Sequence, residues 1–176
     1  AVLFGLDGRS PKTRVSVVNI GMLASLTVQQ QFVNQLAMTL FSWLKRNPAP
    51  ADVPLQGLLV IDEAKDFVPS RESSLCTGSL KRLAAQARKY GLGLVFATQA
   101  PKDIEHTIVS NCFTHVYGSA NSPAAIDAIK AQLQQRGGKG DDIGRLGRGR
   151  FYVHNAEVTP YPVKTATPLC LSHHPT

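Results

Sequence analysis

Between Gly57 and Ile61 five consecutive residues carry no polar side chain, and the run breaks straight into Asp62-Glu63. Short continuous apolar runs of this kind are how strands buried on both faces of a parallel sheet read. A second run, Leu92 to Ala97, ends at Thr98-Gln99. Between the two, Leu80, Leu83, Ala84 and Ala87 recur at helical spacing and predict a helix from about Gly78 to Tyr90. Lys81, Arg82, Arg88 and Lys89 fall on its remaining surface, and Gly91 is its natural C-cap.

The same alternation extends both ways. Val15, Val17, Val18 and Ile20 predict a β-branched strand over Thr13 to Ile20, stopped by Gly21. A long helix follows from about Thr27 to Lys45. Val28, Phe32, Val33, Leu36, Ala37, Leu40, Phe41 and Leu44 share one face, and no charged residue lies between Val28 and Leu44. Asn47-Pro48-Ala49-Pro50 ends it. Downstream, a short helix is predicted around Ile104 to Ser110, a strand near Phe113 to Gly118, and a helix over Pro123 to Gln134. Arg136-Gly137-Gly138-Lys139-Gly140 reads as flexible. Two final strands, Arg150 to His154 and Val158 to Val163, are expected to flank a tight turn at Asn155-Ala156.

Strands alternating with helices argue for an α/β chain with a mostly parallel sheet. At 176 residues, 43% hydrophobic and 18% charged, the chain is one domain in size and globular in composition. We expect a domain body over residues 1–164 and a tail over 165–176. No stretch approaches the roughly 20 apolar residues that a membrane helix needs, and no signal segment opens the chain. A cytoplasmic location is therefore expected. The chain begins at Ala1 rather than Met. Cys76, Cys112 and Cys170 are far apart and read as ordinary reduced thiols. A net charge of +7 favours a polyanionic partner such as nucleic acid without requiring one.

Leu58-Leu59-Val60-Ile61-Asp62-Glu63 has the form of a Walker B element. Adjacent carboxylates at a strand's carboxyl end suit a metal–phosphate site, the first orienting a magnesium ion and the second polarising the attacking water. The plainer alternative is a buried strand emerging into two solvated acids. Thr98 or Gln99, ending the second run, could contact a γ-phosphate or the lytic water, or could simply cap the strand. Arg82, Arg88 and Lys89 offer a candidate arginine for a neighbouring subunit's site, beside the simpler reading of a solvated basic face. Nowhere does a glycine-rich loop end in Gly-Lys-Ser or Gly-Lys-Thr. Gly138-Lys139-Gly140 lacks the hydroxyl and follows no buried strand. Alone, the chain is expected not to turn over ATP.

Taken together, Leu58 to Ser70 (LLVIDEAKDFVPS), Ala87 to Gln99 (ARKYGLGLVFATQ) and Asp103 to Asn111 (DIEHTIVSN) resemble the HerA group of the HerA–FtsK superfamily. The resemblance spans roughly Thr13 to Val163. It implies a RecA-like P-loop NTPase sheet of the ASCE kind with flanking helices, and ATP and Mg2+ as ligands. It implies that Asp62 holds magnesium, that Glu63 is the catalytic base, that Gln99, beside Thr98, senses the γ-phosphate, and that Arg88 acts in trans, with Lys89 as second choice. It further implies a ring, a hexamer, around double-stranded DNA, with a nuclease partner in some members. Lys65 stands where relatives often carry another polar residue.

The resemblance places the phosphate loop and its strand upstream of Ala1, so the chain is expected to be the C-terminal part of a motor domain, lacking the Walker A strand and loop. Two other readings remain: a conjugation or secretion ATPase, and a non-catalytic oligomerisation scaffold of the same fold. His106, His115, His154 and His173-His174 are scattered and make no metal site. Lys139, Arg145 and Arg148, in the glycine-rich stretch, are candidate contacts to DNA phosphates.

Overall fold

The computed structural model describes residues 13–53 and 55–167. The chain divides after Ala97 into two compact units. Helix α1 (Leu26–Arg46), strand β1 (Gly57–Ile61), helix α2 (Thr77–Gln86) and strand β2 (Leu92–Phe96) form the first. Helix α3 (His106–Ser110), strand β3 (Thr114–Tyr117), helix α4 (Pro123–Gln135) and strands β4 (Arg150–Asn155) and β5 (Val163–Ala166) form the second.

In the first unit β1 and β2 pair in parallel, Gly57 opposite Leu92 and Ile61 opposite Phe96. α1 begins where the Ser25 hydroxyl accepts from the Val28 amide, a cap that satisfies one otherwise orphaned N–H. Its buried stripe is Val33, Ala37, Leu40, Phe41 and Leu44. α1 packs on α2, which turns Leu80 and Leu83 inward, and Phe41 meets the Tyr90 ring edge-on at 6.0 Å. The predicted helix ending at Tyr90 is α only to Gln86 and tightens into a 3-10 turn, Ala87–Tyr90. Gly91 closes it at φ 75°, where a Cβ would lie 2.5 Å from that of Ala49, so only glycine fits.

Two expectations fail in this unit. Thr13 to Ile20 is not a strand: it pairs with no strand among the described residues, and Val15 and Val17 are 84% and 89% exposed. β-branched residues favour an extended backbone, but a strand exists only as part of a hydrogen-bonded ladder. Nor is β1 buried on both faces. Leu58 and Val60 are 59% and 57% exposed, and Val95, opposite Val60, is exposed as well. One face of the parallel pair is thus open among the described residues, while Ile61 and Leu92 are buried on the other.

In the second unit β3, β4 and β5 form an antiparallel sheet in that order. Ser122 caps α4 at the Ala125 amide, and Pro123 sits at the first helical position, where its missing N–H costs nothing. Ile129 and Leu133 pack with Tyr117, Ile143 and Leu146. The run predicted to be flexible is a helix cap. Gly137, at φ 80°, donates to the Gln134 carbonyl, and the Gly138 amide donates to that of Leu133 at 2.8 Å. These two bonds define a Schellman motif. Gly140 follows at φ 65°, and a Cβ there would lie 2.5 Å from Leu133 Cδ1.

The last strand is displaced. Val158 to Pro162 is loop, and β5 runs through Thr165 and Ala166, two residues into the expected tail; residues 168–176 of that tail lie outside the described residues. Pro160 and Pro162 bring no N–H to a ladder. The Asn155 side chain instead accepts from the Glu157 and Val158 amides, which lengthens the turn. Asp142 accepts from Tyr152 and Lys164 and so joins the 142–146 turn to β4 and β5. These bonds, Lys164's first, hold Asp142 below the usual carboxylate range, and Asp142 in turn pushes Tyr152 up to about 12.

Candidate active site

Parallel pairing puts the carboxyl ends of β1 and β2 at one rim. The backbone closes that rim: the Ala97 amide donates to Ile61 at 2.9 Å, and the Ala64 amide donates to Ala97 at 2.8 Å. Between those two bonds the chain carries Asp62 and Glu63. Glu63 takes φ 47°, ψ 47°, and no other non-glycine residue among those described has a positive φ. A side chain in that left-handed region costs roughly 1–2 kcal/mol, and strain of this kind collects at functional sites.

The kink turns the chain out of the strand into a 3-10 turn, Ala64–Asp66. Asp62 is exposed, and one of its oxygens accepts from the Glu63 amide at 3.0 Å. Glu63 Oε2 lies 3.9 Å from Lys65 Nζ. The turn is braced from two sides. Gln30 of α1 donates to the Asp66 carbonyl at 2.8 Å. The Phe67 carbonyl accepts from Ser74, from Cys76 at 3.2 Å and from Thr77 at 3.4 Å. Cys76 is fully buried, and burial pushes its thiol up, so it is a structural group rather than a nucleophile.

The other predicted residues lie apart from this turn or in the second unit. Arg88 is exposed on the 3-10 turn before β2, at the amino end of a strand whose carboxyl end carries the rim. About 16 Å of strand separates those ends, so Arg88 is not grouped with its own chain's carboxylates. Lys89 is exposed beside it. Thr98 and Gln99 open the second unit, where Thr98 Oγ1 accepts from the Ala100 amide at 3.0 Å and Gln99 holds an exposed position. Lys139, Arg145 and Arg148 are exposed in the second unit, the two arginines flanking the buried Leu146. Sequence reasoning missed Gln30, the Ser74–Cys76–Thr77 brace and the contact of Lys65 with Glu63. Only Lys65 carried a signal, as an unusual residue in its motif.

An exposed carboxylate at this rim fits magnesium, a hard cation that takes oxygen donors and keeps several waters when it also binds phosphate. Asp62 is an exposed carboxylate of that kind, and the described residues hold no group of three or more histidine, cysteine or acidic side chains that could bind a metal ion by themselves.

No family model matches the chain. It is 31% identical over 97 residues to the DNA double-strand break repair helicase HerA of Pyrococcus furiosus, a match covering 54% of this chain and 18% of that one. It is 26% identical over 103 residues to the probable HerA of Methanocaldococcus jannaschii, covering 58% and 20%. Protein P9 of Pseudoalteromonas phage PM2 is 35% identical over 68 residues, covering 39% and 30%. The chain thus spans about a fifth of the length of the archaeal relatives it matches. Among solved structures, the genome packaging NTPase B204 of Sulfolobus turreted icosahedral virus 2, in complex with AMP, superposes with a TM-score of 0.58 at 15% identity, over 91% of this chain and 69% of that one. Its complex with ATP-gammaS gives 0.51 at 17%, over 64% and 52%.

The fold is therefore a RecA-like α/β arrangement, shared with B204. Over about 100 residues the sequence resembles that of the archaeal HerA proteins.

Proposed function

We propose that these residues are the Walker B and sensor portion of an ATP-hydrolysing motor that translocates or unwinds double-stranded DNA as a ring, a hexamer. The observation that carries the reading is the left-handed Asp62-Glu63 turn at the carboxyl end of a parallel strand pair, in a HerA-like sequence. The 176 residues contain no phosphate loop, so the proposal gives them the hydrolytic half of the site within the full-length protein. The proposal assigns residues 1–164, together with the last two residues of β5, to the C-terminal part of the motor domain and the remainder to its tail.

In this reading Asp62 holds the magnesium ion, whose charge offsets that of the phosphates. A Glu63 carboxylate oxygen accepts a proton from the attacking water as its oxygen bonds to the γ-phosphorus; the bond to the bridging oxygen breaks, and ADP leaves. Thr98 and Gln99 contact the γ-phosphate or the lytic water. Arg88, at the far end of β2 from its own carboxylates, acts on a neighbouring subunit's nucleotide, with Lys89 as the substitute. Lys139, Arg145 and Arg148 contact DNA phosphates, consistent with the net charge of +7. B204 is a genome packaging NTPase and HerA a DNA double-strand break repair helicase, and a motor acting on DNA is consistent with both names. A nuclease is a further expected partner. The described residues contain no helix long and apolar enough to cross a membrane.

The test is ATP hydrolysis by the full-length protein, with and without duplex DNA, beside Glu63→Gln. Stimulation by DNA that disappears in the variant supports the motor. A folded full-length protein that hydrolyses nothing leaves the scaffold reading instead.

A further inference from the structure

The segment Asp62-Glu63-Ala64-Lys65-Asp66 carries three acids and a single base. Read as a nucleotide site, it would repel a polyphosphate were its carboxylates not offset. Lys65 is the segment's own cation, and the left-handed backbone at Glu63 followed by the 3-10 turn brings its Nζ to 3.9 Å from Glu63 Oε2. The two side chains are 40% and 37% exposed as a whole, but Glu63 Oε2, the oxygen that faces Lys65, is itself buried. At 3.9 Å the contact is longer than a hydrogen bond. An ammonium on a flexible stem is also the group best suited to transfer from a carboxylate to a phosphate oxygen, because it binds as a point charge with rotatable donors.

We propose that Lys65 is a nucleotide-responsive latch on Glu63. Without nucleotide its ammonium holds the Glu63 carboxylate. When a triphosphate occupies the rim, the ammonium moves to a γ-phosphate oxygen and leaves Glu63 to the attacking water. No covalent bond changes in this step; one ion pair is exchanged for another. Lys65 is thus a positioning residue for Glu63 and a binding residue for the terminal phosphate, and its transfer removes one of the contacts that hold the base. The inference rests on the nucleotide-site reading above, but its test is separate from catalysis.

The experiment measures binding of a non-hydrolysable ATP analogue and of ADP to the full-length protein, by titration calorimetry, in the wild type, Lys65→Ala, Lys65→Arg and Glu63→Gln. Lys65→Ala is expected to weaken analogue binding about tenfold or more, the loss of one charge-assisted hydrogen bond, with ADP binding unchanged. Lys65→Arg, which keeps the charge, restores part of that loss. Glu63→Gln removes the competing carboxylate charge and is expected to tighten analogue binding by up to about fivefold. Lys65→Ala that binds the analogue as tightly as the wild type does, with its circular dichroism unchanged, overturns the latch while leaving the ATPase reading intact. Wild-type protein that binds neither nucleotide overturns both.

Discussion

At an ordinary position glycine is less stable than alanine by roughly 0.5–1 kcal/mol, because its backbone loses more freedom on folding. At Glu63 the order should reverse. The observed φ of 47° and ψ of 47° cost a residue with a Cβ roughly 1–2 kcal/mol that glycine does not incur. Glycine's freer unfolded chain returns about 0.4–1 kcal/mol of that gain. Glu63→Gly and Glu63→Ala both lose the 3.9 Å contact with Lys65, so its contribution cancels in the comparison. Glu63→Gly should therefore be the more stable of the two by about 1 kcal/mol, roughly a fivefold difference in the folded-to-unfolded ratio. Trp43, the only tryptophan in the chain, lies on α1 in the same unit, so its fluorescence during urea unfolding follows the right part of the molecule. With a urea dependence of about 1–3 kcal/mol per molar, the midpoints should differ by roughly 0.3–1 M, Glu63→Gly higher. Equal midpoints, or alanine above glycine, would refute the claim that the chain stores strain at its catalytic candidate. Both variants should be inactive in the full-length protein.

Gly140→Ala should cost about 2–5 kcal/mol, combining a left-handed backbone with a Cβ 2.5 Å from Leu133 Cδ1; Gly147→Ala, whose nearest neighbour would be 3.7 Å away, is the control, and thermal unfolding separates them. His115 is held below the usual histidine range by burial first and by the Arg136 charge next. Its folded form therefore resists protonation, so the stability of the second unit should be full above the ordinary histidine pKa and fall as pH drops below it; a His115→Gln variant should flatten that pH dependence in denaturant titrations. Charge reversal at Arg145 and Arg148 should weaken duplex DNA binding by the full-length protein and shallow its salt dependence by about one to two units, whereas unchanged binding would remove these residues from the interface.

The part of this protein that carries the candidate site was legible because its logic is local. A continuous apolar run ending in two acids specifies a strand and what stands at its end, and parallel pairing of β1 with β2 followed from the same kind of run at Leu92 to Phe96. The amphipathic stripes of α1 and α2 were equally plain, since a helix satisfies its own backbone and needs only a face to bury. What depended on partners could not be read. Thr13 to Ile20 has the composition of a strand but no ladder among the described residues, and Leu58 and Val60 look like core yet face outward. The glycines of 137–140 suggested freedom where the fold uses them for a helix cap and a close approach to Leu133. Conformation at a single residue also lay beyond the sequence. Nothing in Asp-Glu-Ala-Lys announces a left-handed glutamate or a lysine folded back upon it, because both arise from where Ala97 and Gln30 hold the turn. The sequence by itself determined which groups stand at the rim; only the tertiary structure decided how they are aimed, because aim is set by hydrogen bonds from residues more than thirty positions away.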